Sequence, residues 1–126
     1  MATAPVFANT PVIGCVAIST ANANRDGTGT IGSALTGSAN GTKINEVRIK
    51  ASGTTTAGMV RLYIYNGTTN FLFLEQTIAA VTPSASVAAE EYVHTFDNLV
   101  LPATYQLRAS THNAEGFNIL AVGADI

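Results

Sequence analysis

The sequence predicts an all-β fold, a single-domain antiparallel β-sandwich of jelly-roll type with an extended N-terminal arm. Roughly seven or eight short segments alternate apolar and polar residues with a period of two, the pattern of half-buried strands. Turn dipeptides such as Asp26-Gly27 and Asn40-Gly41 separate these segments, and no segment combines a helical period with convincing caps. A chain of 126 residues is the size of one domain with one core.

The first ten residues are expected to form the arm, and residues 11–126 the sandwich domain. Pro5 and Pro11 keep the start of the chain out of a regular ladder, because proline has no N–H to donate. No charged residue precedes Arg25. Val6 and Phe7 of this uncharged arm are therefore candidate contacts with a partner or with another subunit. The next segments predict a strand over residues 12–19, a loop over 20–32 and a short strand within 30–36.

The segment KINEVRIKA, residues 43–51, predicts a strand with one buried face. Basic residues occupy the opposite face, and Ile44 is out of phase with the apolar set. A β-bulge near Asn45 and Glu46 would bring Ile44 back to the buried side. The apolar set is Val47, Ile49 and Ala51.

Residues 58–78 predict a hairpin around the turn NGTTN. The inward residues are expected to be Val60, Leu62 and Ile64 on its first strand, with Leu72, Leu74 and Ile78 on its second. The alternate residues then face outward, where a contiguous apolar surface usually marks an interface. A second sheet or a strand twist could instead bury them. The candidate contact residues on this outer side are Met59, Arg61, Tyr63, Tyr65, Phe71 and Phe73.

The last third of the chain continues the same alternation. Residues 79–91, which include Pro83, are predicted to be a long loop. The strand that follows is expected to break at Asp97-Asn98, and two more strands complete the fold. The residues predicted to share a face are Tyr92, His94 and Phe96 on the first of these strands, Tyr105, Leu107 and Ala109 on the second, and Phe117, Ile119 and Ala121 on the third.

The composition limits the classes of function. Hydrophobic residues make up 47% of the chain and charged residues 11%, against about 25% charged in an ordinary soluble domain. Such a surface suits a protein that packs against other protein, because charge is depleted at interface centres. The net charge of −2 and scattered basic residues argue against nucleic-acid binding. No apolar run is long enough to cross a bilayer, and no basic segment suggests a secretory signal. Cys15 is a single cysteine, so we expect a buried apolar residue and no intrachain disulfide.

The chain also lacks residue patterns that support catalysis, so we expect no enzyme activity, cofactor or metal. His94 is predicted on an apolar strand face and His112 in a polar turn, neither with a nucleophile in a recognisable pattern. The acidic residues are scattered, whereas glycosidases need two carboxylates in one cleft. Oxygens of Asn24, Asp26 and Thr28 could approach calcium, but one carboxylate makes a poor site.

Three stretches together, GSANGTKINEVRIKASGTTTAGMVRLYIYNG, FLFLEQTI and LPATYQLRASTHNAEGFNILAVGADI, resemble small virion structural proteins of tailed bacteriophages, of the capsid decoration or cement type. The resemblance covers about residues 27–126. It implies a β-sandwich or jelly roll, commonly trimeric, that binds the major capsid protein on the outer surface of the head and ties neighbouring coat subunits together. No family site residue maps onto this sequence.

Two other classes of function remain open. A tail or fibre module that recognises a host receptor or glycan would present Tyr63, Tyr65 or Tyr92 to the apolar face of a sugar. A minor subunit or carbohydrate-binding module of a hydrolase would need a partner domain. Between the two sides of a capsid, the net charge of −2 favours the outer surface, because the inner surface faces DNA, which repels negative charge.

Overall fold

The computed structural model describes residues 10–126, and every regular element in this range is a β-strand. Two antiparallel four-stranded sheets pack together, so the predicted all-β sandwich is confirmed. No helix in these residues is long and apolar enough to span a membrane. The strands are β1 (Thr10–Ile18), β2 (Gly32–Thr36), β3 (Thr42–Ala51), β4 (Gly58–Tyr65), β5 (Asn70–Ile78), β6 (Glu91–Leu101), β7 (Gln106–Thr111) and β8 (Phe117–Asp125).

The strand order places distant parts of the chain side by side. The first sheet has the order β1-β8-β3-β6, and the second sheet has the order β2-β7-β4-β5. Early strands pair with late ones at mirrored positions: β1 with β8, β2 with β7, β3 with β6, and β4 with β5. The two ends of the described chain therefore meet, since Thr10 pairs with Asp125.

The hydrophobic core lies between the two sheets. Ile49 on β3 and Ile119 on β8 have no exposed surface, and the same is true of Leu62 on β4 and Leu107 on β7. Each contributes one inward side chain from a period-two pattern, as the sequence predicts. Burial of this apolar surface, at about 25 cal/mol per Å², is the main favourable term in the stability of the sandwich.

The predicted bulge in β3 is confirmed. Ile44 pairs with Gly123 of β8, and Glu46 pairs with the adjacent residue, Val122. β3 therefore contains one residue more than β8 at this point. The extra residue allows Ile44 and Val47 both to face the core, where each is 0% exposed.

The predicted break in β6 at Asp97-Asn98 is wrong. β6 is continuous, and its extra residues form an irregularity in the pairing with β3. The pairing moves from Glu46 with Thr95 to Ile44 with Leu99, so β6 is the longer strand over this interval. A bulge keeps the ladder intact on both sides of the polar pair, where a break would have ended it.

The predicted exclusion of Pro11 from a ladder is also wrong. β1 begins at Thr10, and Pro11 pairs with Ala124 of β8. β1 is an edge strand, and an edge tolerates proline because one side of the strand needs no N–H donor. The arm predicted for residues 1–10 lies outside the described residues except for Thr10, and so do its candidate contacts Val6 and Phe7.

The two lateral sides of the sandwich differ. On one side the edge strands β1 and β2 approach closely, and a Cβ atom built on Gly14 would lie 2.3 Å from the carbonyl oxygen of Ala34. Only glycine fits such an approach. On the other side the edge strands β5 and β6 lie further apart. We call this second side, between β5 and β6, the open side.

Candidate interaction surfaces

The loop over residues 19–31 folds across the outer side of the second sheet. Its anchor is Asn22, whose backbone N–H donates to the carbonyl of Thr111 at 2.8 Å. The Asn22 side-chain amide donates to the carbonyls of Thr28 and Thr30, each at 3.0 Å. One buried asparagine thus joins both halves of the loop to the sheet.

The tip of this loop is closed by Asp26. Its carboxylate accepts hydrogen bonds from the backbone N–H of Thr28 at 3.1 Å and from the Thr28 hydroxyl at 2.6 Å. These bonds favour the charged form and lower the pKa of Asp26. The Asn24 side-chain amide also donates to the Thr28 hydroxyl. The oxygens considered for calcium are therefore engaged with one another in this turn.

Arg61, predicted to face outward as a contact residue, is 1% exposed. It does point to the outer side of the second sheet, but the loop covers it. Its Nε donates to Glu75 Oε2 at 3.0 Å, and its Nη1 donates to the carbonyl of Asn22 at 3.3 Å. Its Nη2 lies 3.4 Å from Nδ1 of His112, which must accept because arginine only donates.

Tyr63, the next predicted contact on the same row, is 0% exposed. Its hydroxyl donates to the carbonyl oxygen of Asn24 in the loop at 2.9 Å. The period-two assignment of β4 was therefore correct, but the expectation of exposure was wrong for both Arg61 and Tyr63. The reason is tertiary: a segment 39 residues earlier in the chain covers this side of the sheet.

Glu75 on β5 ties the loop to the sheet. Its Oε2 accepts from Arg25 in the loop at 2.7 Å and from Arg61 at 3.0 Å. Hydrogen bonding from Arg25, then from Arg61, lowers the pKa of Glu75, and the same carboxylate raises the pKa of Arg25. A pocket of about 230 Å³ lies beside this cluster, lined in part by Met59 and His112.

Met59 and Tyr65, at the two ends of the predicted row, are half-buried. Met59 lines the pocket beside Arg61. Tyr65 has the Arg108 guanidinium over its ring, 3.5 Å from the ring centroid, and its hydroxyl donates to the carbonyl of Gly67 at 2.8 Å. One face of the Tyr65 ring is thus occupied by a cation.

Three consecutive apolar residues are exposed on β5, the edge strand beside the open side. Phe71 is 54% exposed, Leu72 40% and Phe73 39%. The predicted exposure of the two phenylalanines is confirmed. We call Phe71, Leu72 and Phe73 the β5 patch.

The faces assigned to the β5 patch were wrong, because β5 contains a bulge. Leu74 pairs with Leu62, whereas Leu72 pairs with the adjacent Tyr63. Phe73 is the extra residue, and its ring lies 5.5 Å, centroid to centroid, from that of Phe96 on β6. Leu72 therefore shares the outer row with Tyr63, while Phe73 turns toward the other sheet.

The two histidines are held by hydrogen-bonding partners in the fold. His94 Nε2 lies 2.8 Å from Oε1 of Gln76 across the open side, and His112 contacts Arg61. His94 shares its inward row with Tyr92 and Phe96, as predicted. Within residues 10–126, no three His, Cys, Asp or Glu side chains come together in a way that could hold a metal ion.

A second apolar surface, which the sequence analysis missed, lies on the outer side of the first sheet. Cys15 is exposed, not buried as predicted, because the even-numbered residues of β1 face the core. Ile13 beside it is 61% exposed. Cys15 pairs with Leu120 and Ile13 pairs with Val122 of β8. We call Ile13, Cys15, Leu120 and Val122 the β1–β8 patch.

The neighbouring strand β3 gives the same side of the sheet a charged row. Arg48 pairs with Leu120, and Glu46 pairs with Val122. Arg48 Nε donates to Glu46 Oε1 at 3.0 Å within the row. The signal for this surface was present in the sequence, since residues 11–17 and 120–124 contain no charge at their outward positions.

No protein-family model matches the chain, and no curated protein matches it. The geometry defines its class, an antiparallel two-sheet sandwich with one outer side covered by a loop and two separate exposed apolar patches.

Proposed function

We propose that the protein is a non-enzymatic structural protein of a bacteriophage particle. In this proposal it sits on the outer surface of the head as a decoration or cement protein and stabilises contacts between major capsid protein subunits. The observation that carries the proposal is the β5 patch, an exposed apolar run on an edge strand. Such a run is a liability for a protein that stays alone, and it usually marks a contact with other protein.

The fold is consistent with this role. We infer a jelly roll, because the mirrored pairs β1–β8, β2–β7, β3–β6 and β4–β5 are those obtained when one long hairpin is rolled into two sheets. Eight-stranded jelly rolls occur in viral capsid proteins and in lectins. A fold by itself does not decide function. The β5 patch and the low content of charge carry the argument beyond the fold.

The resemblance adds two elements to the proposal, a trimeric assembly and a position on the outside of the particle. The sequence adds a third, an N-terminal arm that precedes β1 and contacts the capsid or another subunit through Val6 and Phe7. Weak contacts are sufficient for such a protein when symmetry repeats them. Once one subunit of an oligomer binds the capsid, the contacts of the other subunits form as nearly intramolecular events. This arrangement needs neither a cofactor nor nucleic acid.

The receptor-binding alternative is less well supported by the tyrosines on which it depends. Tyr63 has no exposed surface, and one face of the Tyr65 ring is covered by Arg108. Tyr92 packs against the hydrophobic core. Tyr63 is therefore excluded as a stacking surface, and Tyr65 and Tyr92 are each partly covered by the protein itself.

Cosedimentation with expanded capsids that lack the protein tests the proposal. The chain should pellet with such capsids, and Phe71→Asp should weaken binding at least about tenfold, as expected for a central apolar contact. The matched control is Val87→Asp, because Val87 is exposed to a similar degree, 47%, but lies outside the β5 patch. Failure of the wild-type chain to bind capsids, with retention on host cells or glycans, would favour the receptor module.

Deletion of residues 1–9 separates the arm from the fold, because Thr10 is already the first residue of β1. The truncated chain should bind capsids more weakly while its melting temperature changes little. A large fall in melting temperature with unchanged capsid binding would show that the arm belongs to the core.

A further inference from the structure

We propose that the outer side of the first sheet pairs with the same side of a second copy, face to face about a two-fold axis. The proposal is independent of capsid binding, which is assigned to the β5 patch. Its basis is the β1–β8 patch and the charged row of β3 beside it.

The β1–β8 patch exposes apolar surface where a solvated sheet would carry polar residues. Ile13 is 61% exposed, and its neighbours on the outer rows of β1 and β8 are Cys15, Leu120 and Val122. Antiparallel sheets with one solvated face normally alternate apolar and polar residues along each strand. An apolar outer row on two adjacent strands therefore indicates that this side is covered by protein.

The size of the sheet suits a stable pair. Strands of nine residues, such as β1 and β8, are about 30 Å long, and four strands are about 19 Å wide, so the flat face measures roughly 570 Å². Side-chain relief adds to this value. A typical stable interface buries about 800 Å² on each partner. The whole outer side of the first sheet approaches that requirement, which the β1–β8 patch alone does not.

The register of the sheet makes this surface self-complementary. Gly14, Ala121 and Val47 lie in one row across β1, β8 and β3. Consider a two-fold axis that runs parallel to this row, midway between the two copies. On each strand, the residue that precedes the row in one copy then lies opposite the residue that follows the row in the other copy. Leu120 then faces Val122 of the second copy.

The charged row obeys the same rule. Glu46 and Arg48 stand on either side of Val47, so the axis places Glu46 opposite Arg48 of the second copy and Arg48 opposite its Glu46. Opposite charges meet twice, in addition to the pair within each chain. By the same rule Lys43 of one copy lies opposite Lys50 of the other, about 10 Å from the axis at the rim, where Lys50 Nζ donates to the carbonyl of Ala89 in its own chain, so the complementary pair of Glu46 and Arg48 is the one nearer the axis. This charge complementarity favours a second copy over an unrelated apolar partner.

The mass of the protein in solution tests the pairing. Light scattering should give an even multiple of the 13.0 kDa chain mass, which is a hexamer where two of the proposed trimers pair through this face. Ile13→Arg should halve that mass and raise the dissociation constant of the pair at least about tenfold, because Ile13 faces the apolar Cys15 of the second copy at the β1 edge of the contact and the new charge finds no partner there. The matched control Phe71→Arg, in the β5 patch, should leave the mass unchanged.

A charge exchange tests the two-fold axis itself. Glu46→Arg should weaken pairing because two arginines then face each other, and the double variant Glu46→Arg/Arg48→Glu should restore it. An odd number of copies, a monomer at all concentrations, or a mass that Ile13→Arg leaves intact would overturn the proposal. If Ile13→Arg fails to fold, the charge exchange decides alone, and a double variant that stays unpaired while its melting temperature is native would refute the axis.

Discussion

Replacing Tyr63 by phenylalanine removes one hydrogen bond that holds the loop over residues 19–31 against the second sheet. The Tyr63 ring is fully buried, and its hydroxyl donates to the carbonyl of Asn24 at 2.9 Å. Tyr65→Phe is the matched control. Its hydroxyl also donates to a backbone carbonyl, that of Gly67 at 2.8 Å, but within the exposed β4–β5 turn.

The two substitutions should change the free energy of unfolding by different amounts, because the hydrogen bond of Tyr63 is buried and that of Tyr65 is exposed. A buried intramolecular hydrogen bond contributes about 1 kcal/mol net, so Tyr63→Phe should lower the free energy of unfolding by about that much. For a domain of this length the loss corresponds to a fall in melting temperature of roughly 3–5 °C. Water replaces the exposed bond of Tyr65, so its loss should cost less than about 0.3 kcal/mol.

Limited trypsin digestion measures the loop directly. Arg25 lies in the loop with its side chain 60% exposed, whereas Lys43, Arg48, Lys50, Arg61 and Arg108 lie within strands. Tyr63→Phe should lower the free energy of local opening of the loop by about 1 kcal/mol. If the loop opens and closes faster than trypsin cleaves, cleavage after Arg25 should then be roughly fivefold faster. Equal cleavage rates in wild type, Tyr63→Phe and Tyr65→Phe would show that the Tyr63 bond does not hold the loop, and would refute the burial argument.

Two further predictions concern charge and packing. Glu75→Gln should destabilise the protein at neutral pH. Because Arg25 in particular lowers the folded pKa of Glu75, the charged form contributes stability above the unfolded pKa of about 4.3, and this stability is lost as pH falls through the folded value. Melting curves should show the difference from wild type shrinking below about pH 4, and an equal difference at pH 3 and pH 7 would contradict the reasoning. Gly14→Ala should cost about 1–3 kcal/mol in urea unfolding, since its Cβ would meet the Ala34 carbonyl, whereas Gly53→Ala, with no atom within 4 Å, should be near neutral; equal effects would argue against the close approach of β1 and β2.

The alternation of residues predicted strand faces correctly where one face is apolar and the other is polar or charged. In β3, alternating basic residues mark the outer row, so Ile44 stood out as displaced and the bulge at Asn45 could be inferred. In β6, His94 and its neighbours kept the expected inward row. These elements depend on residues adjacent in sequence, and alternation is a property of such residues.

Contacts between distant segments were not predictable in this way. The loop that covers Arg61 and Tyr63 belongs to a part of the chain 39 residues earlier. The bulge in β5 shifts Phe73 toward Phe96, and nothing in the run of apolar residues around it shows where the period changes. The exposed position of Cys15 depends on which parity of β1 faces the core, and both parities are apolar there. In each case the deciding partner lies outside the local pattern.

The pairing of Thr10 with Asp125 means that the described chain begins and ends at neighbouring points. Thr10 and Asp125 are separated in sequence by nearly the whole described chain, and such non-local pairing slows folding. A circular permutant that links Thr10 to Ile126 and opens the chain at Gly53 would preserve every strand pair while making this last contact a local one. The architecture is thus compatible with a different linear order of the same strands.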